Sequence, residues 1–343
     1  MSHASNRLPF DVLPWNTVRV CVIGDVMMDA YMWGRVTRVS PEAPVPVVEV
    51  DRREQRVGGA GNVVRNLASL GAEVDILGVV GDDAAGTELT RLLATISTPH
   101  LVVDPTRPTT VKTRVISGGH HVVRVDEEST SAVSASLVHE VLDCLRTQLL
   151  GSTPPDVVVV EDYDKGLMTL AMIEGVLKEC EAAGVPVAVD PKLRHFSAYR
   201  GVALFKPNLK ELNEGLGLAQ PVHPSQREAM ECAVETLMDN LQCERLMVTL
   251  SEHGTWMHAP AEGIHHVQVP AVPREIMDVS GAGDTVIAVA AMLLACQTDA
   301  LSLAAVSNLA GGWVCERLGV VPIPREALQA ELTRVQLPHP TAL

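Results

Sequence analysis

The 343-residue sequence predicts an α/β protein: a mostly parallel sheet covered by helices on both faces, with a small β lid set apart from it. Three observations lead there. Hydrophobic residues make up 47% of the chain and aromatic ones only 3%, so the core must be packed from Val, Leu, Ala and Ile, the composition of parallel strands buried on both faces. Short apolar runs alternate with stretches of helical periodicity, as βαβ units require. Two segments break that rhythm with prolines or paired glycines, which belong at sheet edges and in hairpins.

Taken in order, Val18 to Ile23 reads as a buried strand, Ala60 to Leu70 as a helix, Val74 to Val80 as a strand and Ala84 to Ile96 as a helix. Further strands are expected at Val157 to Val160, Val185 to Val189, Val202 to Phe205 and Leu246 to Leu250, with helices near Thr169 to Ala183 and Ser225 to Leu241. From Ala282 onward helix dominates, with Ala282 to Cys296, Leu301 to Leu318 and Arg325 to Val335 as the segments, and Pro322 and Pro324 separating the last two. The exceptions are Pro44 to Val50, held extended by its prolines, and Thr110 to Val125, where two β-rich runs flank Gly118-Gly119. These define a lid over about residues 31–57 and 108–126. The main domain is expected over 18–337, with an N-terminal extension, 1–17, and a tail, 338–343.

A formal charge of −15 argues against a nucleic-acid coat, which needs clustered Lys and Arg. The seven cysteines are scattered, with no CxxC pair, which fits a reduced cytoplasm and neither a zinc site nor a disulfide framework. The N-terminus lacks a basic start followed by an apolar stretch, and the longest apolar run, Val286 to Cys296, is too short to span a bilayer. The expectation is a cytoplasmic protein without membrane or nucleic-acid partners.

Polar residues follow the strand runs: Asp25, Glu161 and Asp162, Asp190, Lys206 and Asn208, and Ser251. Ligands of open α/β sheets bind beyond these carboxyl ends, so the residues form a candidate rim, although each alone reads equally as a turn or cap. Asp278 to Ala288, DVSGAGDTVIA, leads glycines into an apolar helix. Its amides and helix dipole would cradle an anion, and Asp284 beside them could take a proton from a hydroxyl. The same residues fit a capped helix with Ser280 as N-cap. GGAGNVVRN at Gly58 to Asn66 is a second Gly-rich helix entry that follows no clear strand, and Asn62 offers the donor and acceptor that sugar hydroxyls need. No GxGxxG, Walker A loop, GxSxG or HExxH occurs. The pairs His120-His121 and His265-His266 read as exposed.

The two Gly-rich segments together, GGAGNVVRNLASLGAEVDILGVVGDDAAG and DVSGAGDTVIAVAAM, resemble the signature regions of the ribokinase-like (PfkB) carbohydrate kinases. Within the family, GDVMMDAYMWGRVTRVSPEAPVPVVEV, PTTVKTRV, EDYDKG, VDPK and KPNLKEL are similar to the kinases of D-glycero-β-D-manno-heptose 7-phosphate, over about Val18 to Leu332. The resemblance implies a three-layer, doubly wound fold, ATP and Mg²⁺, a sugar-phosphate acceptor and transfer to O1. It leaves a monovalent cation open. Because no HxGH motif follows, a stand-alone kinase is expected.

Position by position, the resemblance makes Asp284 the base and Gly281, Ala282 and Gly283 the anion hole. Glu211, in NxxE with Asn208, would orient the Mg²⁺ water shell. Thr249, Ser251, Gly254 and Asn308 would contact the nucleotide. Asp25, Asp29, Gly58, Gly59 and Asn62 match the sugar-binding segments, joined by Asp162 and Lys165 of EDYDKG. Lys112 and Arg114, two apart on a strand, share a face, and Arg124 returns on the partner strand, so the three could clamp a terminal phosphate, as could Lys165 or Lys192; a solvated edge strand is the alternative. Exposed edges at PVPVVEV lead to an expected homodimer through the lid.

Overall fold

The structure is a computed structural model and describes residues 15–334. The first 14 residues of the expected N-terminal extension, the end of the last expected helix and the tail lie outside the described residues. The strands are β1 (Arg19–Gly24), β2 (Val26–Val39), β3 (Pro46–Gly59), β4 (Glu73–Gly81), β5 (Thr98–Asp104), β6 (Val111–Ser117), β7 (His120–Glu127), β8 (Val157–Glu161), β9 (Val187–Asp190), β10 (Leu204–Phe205), β11 (Leu246–Thr249), β12 (Thr255–Ala259) and β13 (Ile264–Val269). The helices are α1 (Ala60–Leu70), α2 (Ala84–Leu93), α3 (Ala135–Leu149), α4 (Leu170–Ala183), α5 (Leu209–Gly215), α6 (Arg227–Leu241), α7 (Ala282–Ala295), α8 (Ala300–Cys315) and α9 (Arg325–Arg334).

Nine strands form one sheet in the order β13-β12-β11-β10-β9-β8-β1-β4-β5, parallel except where β12 and β13 turn back at one edge. The period of two along a strand divides the core. Val20, Val22, Val157 and Val159 face α1, α2, α7 and α8, whereas Cys21, Ile23, Val158 and Val160 face α3, α4 and α6. Both faces are covered, which is why these strands read as unbroken apolar runs.

The small sheet has the order β3-β2-β6-β7, with β2 and β6 parallel and the other pairs antiparallel. Gly118 and Gly119 turn β6 into β7 with φ of 58° and 80°, a conformation costly for residues with a Cβ. The structure corrects the reading of GGAGNVVRN: it follows β3, which runs to Gly59. Residues 51–56, DRREQR, show no apolar run because this part of β3 lies in a ribbon exposed to solvent. For the same reason the outer half of β2, though inside the expected lid, shows no apolar run of its own. The helix α3 and the antiparallel edge β12 and β13 were likewise absent from the sequence reading. His266, expected at the surface, is buried on β13 and paired with Glu235 at 3.0 Å.

Candidate active site

Register builds the floor of the site. Gly24 of β1 pairs with Glu161 of β8, and Glu161 with Asp190 of β9; Val189 pairs with Phe205 of β10, which puts Lys206 beside Asp190. Neighbouring strands are about 4.8 Å apart, so three ionisable side chains stand in a row at the carboxyl end of the sheet. Lys206 Nζ meets Asp190 Oδ2 at 2.8 Å, both buried. Glu161 is buried with neither carboxylate oxygen hydrogen-bonded.

Over this row stands the start of α7. Gly281 is its N-cap with φ of 78°, and no side chain caps the helix, so Ser280 does not act as the cap; its own N–H goes to Asp278 Oδ1 at 2.9 Å. The Ala282 N–H turns back to the Val279 carbonyl at 3.3 Å, and the positive end of the helix dipole, with no side chain capping it, favours an anion here. A Cβ on Gly283 would lie 3.8 Å from Asp190 Oδ2 and 3.9 Å from Lys206 Nζ, which puts the helix entry directly above the pair. Asp284, in the first turn, is buried, and both its oxygens are held: Asn62 Nδ2 donates to Oδ2 and the Tyr163 hydroxyl to Oδ1, each at 2.6 Å. Asn62 Oδ1 is buried without a partner, an acceptor left over beside the carboxylate.

One carboxylate oxygen from each of Glu161, Asp190 and Asp284 falls within a 4.8 Å cluster. Burial raises the Asp284 pKa, against the opposing pull of the Tyr163 and Asn62 hydrogen bonds. Burial, then the charges of Asp190 and Asp284, push Glu161 well above the carboxylate range. Tyr163 is raised by burial and by Asp284, which keeps its hydroxyl a donor.

The nucleotide candidates gather beyond Lys206. Asn208 and Glu211 form a reciprocal capping box on α5, each carboxyl or amide oxygen accepting the other's backbone N–H at 2.9 Å, so the NxxE spacing is also that of a helix cap. Glu211 Oε1 takes Lys192 Nζ at 2.6 Å, and Lys192 lies 5.4 Å from the Tyr163 ring centroid. Burial pulls the Lys192 pKa down, but Asp190 and Glu211 outweigh it and the net shift is upward. Asn208 bridges Thr249 at the end of β11. Ser251 opens the turn after it. Gly254 abuts the carbonyl of Val269, and Asn308 Nδ2 donates to the next carbonyl, Pro270 O, at 2.9 Å, so Gly254 and Asn308 flank one segment.

A sequence profile described as pfkB family carbohydrate kinase matches residues 18–326. The chain belongs to this family. This PfkB kinase is 39% identical over 318 residues to the "Bifunctional protein HldE" of Citrifermentans bemidjiense, covering 92% of the chain and 63% of that relative. It is 41% identical over 339 residues to a protein of the same name from Rhodopseudomonas palustris, covering 96% and 66%. The chain thus spans somewhat less than two thirds of the length of these curated relatives. Its fold is similar to that of phosphofructokinase-2 from Escherichia coli solved with potassium, at TM-score 0.75 and 19% identity, covering 92% of this chain and 99% of that one. The same enzyme with fructose-6-phosphate gives 0.73, with the same identity and coverage.

Of the residues expected to bind sugar, Gly58, Gly59 and Asn62 lie where β3 passes into α1, with Asp29 against Gly58. Three of the expected ligands already hold partners within the protein. Asp25 accepts the N–H of Tyr163 at 2.8 Å, of Lys165 at 3.1 Å and of Leu167 at 3.4 Å, so its carboxylate fixes the turn that carries Tyr163. Asp162, its pKa raised by burial to about 6, takes the Tyr199 hydroxyl and the Asp164 N–H, each at 2.8 Å. Lys165 pairs with Glu128 at 2.8 Å. Arg114 pairs with Asp29, whereas Lys112 and Arg124 both pair with Asp126, at 3.2 and 2.9 Å. Lys112 also reaches Glu128 at 2.9 Å, so the three cations are each already paired, among three carboxylates, Asp29, Asp126 and Glu128. Tyr163 was missed by the sequence reading; its only signal was its place between two acids in EDYDKG, a poor clue to a side chain that reaches Asp284.

Proposed function

We propose that this PfkB kinase transfers the terminal phosphoryl group of ATP to O1 of D-glycero-β-D-manno-heptose 7-phosphate. The product, the 1,7-bisphosphate, would serve synthesis of ADP-heptose and the lipopolysaccharide core in the cytoplasm. The observation that carries the phosphotransfer is the buried Asp284 at the uncapped start of α7. Asp284 accepts the proton of the anomeric hydroxyl, whose oxygen forms the new bond to phosphorus as the bond to the ADP oxygen breaks. Amides at Gly281 and Gly283 meet the charge of the moving group, joined by that of Ala282 if it releases the Val279 carbonyl, a reaction governed by alignment and charge rather than covalent chemistry. Asn62 and Asp29 orient the sugar; Thr249, Ser251, Gly254, Asn208 and Asn308 line the nucleotide end.

Mg²⁺ fits the acidic row. Glu161 presents two unpartnered oxygens there, Asp190 shares its 4.8 Å cluster, Glu211 connects to the row through Lys192, and hard oxygen donors suit this ion. Those three would hold it or its waters, and the ion would neutralise phosphate charge. The heptose assignment rests on the segments from Gly24 to Leu212 that match heptose kinases, and identity near 40% to the HldE proteins supports it. We also assign a homodimer through the lid, whose outer face carries the half-exposed Val123 and Val125.

ADP release measured with heptose 7-phosphate, fructose 6-phosphate, ribose and fructose tests the substrate; fastest specific turnover on a non-heptose overturns it. Asp284→Asn should lower kcat by about 10²- to 10⁴-fold, the usual worth of a general base, with sugar affinity little changed. Turnover within a few-fold of wild type would remove Asp284 from that role.

A further inference from the structure

Two arginines near the sugar side have no task in this scheme. The β2–β3 register sets Arg56 opposite Asp29, and the β2–β6 register sets Arg114 beside Tyr31. Residues two apart on a strand share a face, so Asp29, Tyr31, Arg56 and Arg114 line one side of the ribbon. The guanidinium carbons of Arg56 and Arg114 lie 5.1 and 5.4 Å from the Tyr31 ring centroid. Arg65 comes from α1, three residues after Asn62 and thus one turn along the same helix face.

Arg56 and Arg65 converge on two adjacent residues. A Cβ on Gly319 would be 3.4 Å from Arg56 Nη1, and Arg65 Nη1 donates to the Val320 carbonyl at 3.5 Å. Val320 in turn abuts Gly281, since a Cβ there would meet Val320 Cγ1 at 3.0 Å. The pair therefore lies next to the start of α7 but not in its anion hole. Charge balance separates the arginines. Asp29 neutralises Arg114, and Glu54 pairs with Arg56 at 2.6 Å, but among the described residues no carboxylate lies within ion-pair distance of Arg65. Burial, then the charge of Arg56, depress the Arg65 pKa. A half-buried guanidinium facing another, with too few carboxylates to go round, is an arrangement that an anion relieves, and the planar fork matches phosphate oxygens.

We propose that Arg56 and Arg65, with Arg114 behind them, seat a second phosphate of the acceptor sugar, a monoester remote from the reacting hydroxyl. The proposal rests on the sugar-phosphate kinase reading and replaces the Lys112, Arg114 and Arg124 clamp as the site of that contact. Binding there is electrostatic and bidentate, with no covalent step.

Two measurements test it. In the first, Arg56→Ala and Arg65→Met, the latter keeping an apolar stem, are assayed with heptose 7-phosphate and with the same heptose lacking the phosphate. Each variant should lose about 10- to 100-fold in kcat/KM on the phosphorylated sugar, the worth of a charge-assisted hydrogen bond, and less than about 3-fold on the other. Arg56→Lys should recover only part, because charge returns without the fork. Equal losses on both sugars, or a phosphate-specific loss in Lys112→Ala and Arg124→Ala instead, overturn the seat. In the second, inorganic phosphate is added with the nucleotide site filled by ADP. It should raise the Tm of the wild type and not of the Arg56→Ala, Arg65→Met double variant; equal protection of both overturns the seat. If the wild type prefers an unphosphorylated sugar while phosphate protection still requires both arginines, the substrate reading falls and the anion seat stands.

Discussion

The Tyr163 hydroxyl donates a 2.6 Å hydrogen bond to Oδ1 of Asp284, while Asn62 occupies the other oxygen at the same distance. The carboxylate is thus held in one orientation from opposite sides, and both donors favour its ionised form against the cost of burial. Tyr163 is itself held from behind, since its backbone N–H binds Asp25.

Removing the hydroxyl should move the acidic limb of catalysis. The Tyr163 bond lowers the Asp284 pKa, so in Tyr163→Phe that pKa rises and a higher pH is needed to ionise the proposed base. The acidic limb of the kcat/KM profile should shift upward, with activity at pH 6 falling more than at pH 8. An unmoved limb, or one shifted downward, would show that Tyr163 does not act through Asp284.

Glu161 makes an opposite prediction for stability. Its pKa in the folded protein is raised, so the stability it contributes is present below its unfolded pKa of about 4.3 and is lost as pH rises through the folded value. Gln cannot ionise. The Tm of Glu161→Gln relative to wild type, read by calorimetry without divalent ions, should therefore improve from pH 5 to pH 8; a constant or shrinking difference contradicts the assignment.

The Lys206–Asp190 pair is fully enclosed. Lys206→Met strands a buried carboxylate and should cost about 3–5 kcal/mol in denaturant unfolding, whereas adding Asp190→Leu should return most of it, since replacing both partners of a buried pair is often near neutral. If the double variant is as unstable as the single one, the loss comes from packing and not from charge.

On the outer face of the ribbon, Val123 and Val125 are each 49% exposed. Val123→Lys together with Val125→Lys should convert the proposed lid dimer to a monomer in sedimentation velocity at micromolar protein. A wild type that sediments as a monomer refutes the lid dimer outright.

What could be read in advance follows burial. The α1 boundaries are legible because glycines bracket an amphipathic stretch, with Gly71 closing it in the left-handed conformation. The strand ends Glu161, Asp190 and Lys206 are legible because parallel strands covered on both faces show as apolar runs ending in charge. The ribbon was only half visible: Pro46 and the Gly118-Gly119 turn mark it, but the alternation of β2 and β3 is lost among charged residues on an exposed sheet. Arg56 was hidden for that reason, one arginine in a charged run. Arg65 was hidden for another, since its relation to Arg56 exists only after α1 has packed against the ribbon's root. The backbone contacts of Asp25 were not legible, because strand-end position does not reveal that a carboxylate also accepts N–H groups from the next loop.

Only Asp25 separates β1 of the central sheet from β2 of the ribbon. Its N–H binds the Glu161 carbonyl, its carbonyl receives the Ala60 N–H, and its carboxylate holds the 163–167 turn. A joint clamped on three sides is no pivot. Any swing of the ribbon is left to the part beyond the register break at Trp33 and Gly34, while the root bearing Asp29 and Tyr31 travels with the base. On the proposed reading, the acceptor would meet a stationary anvil, and closure over it would fall to the outer flap alone.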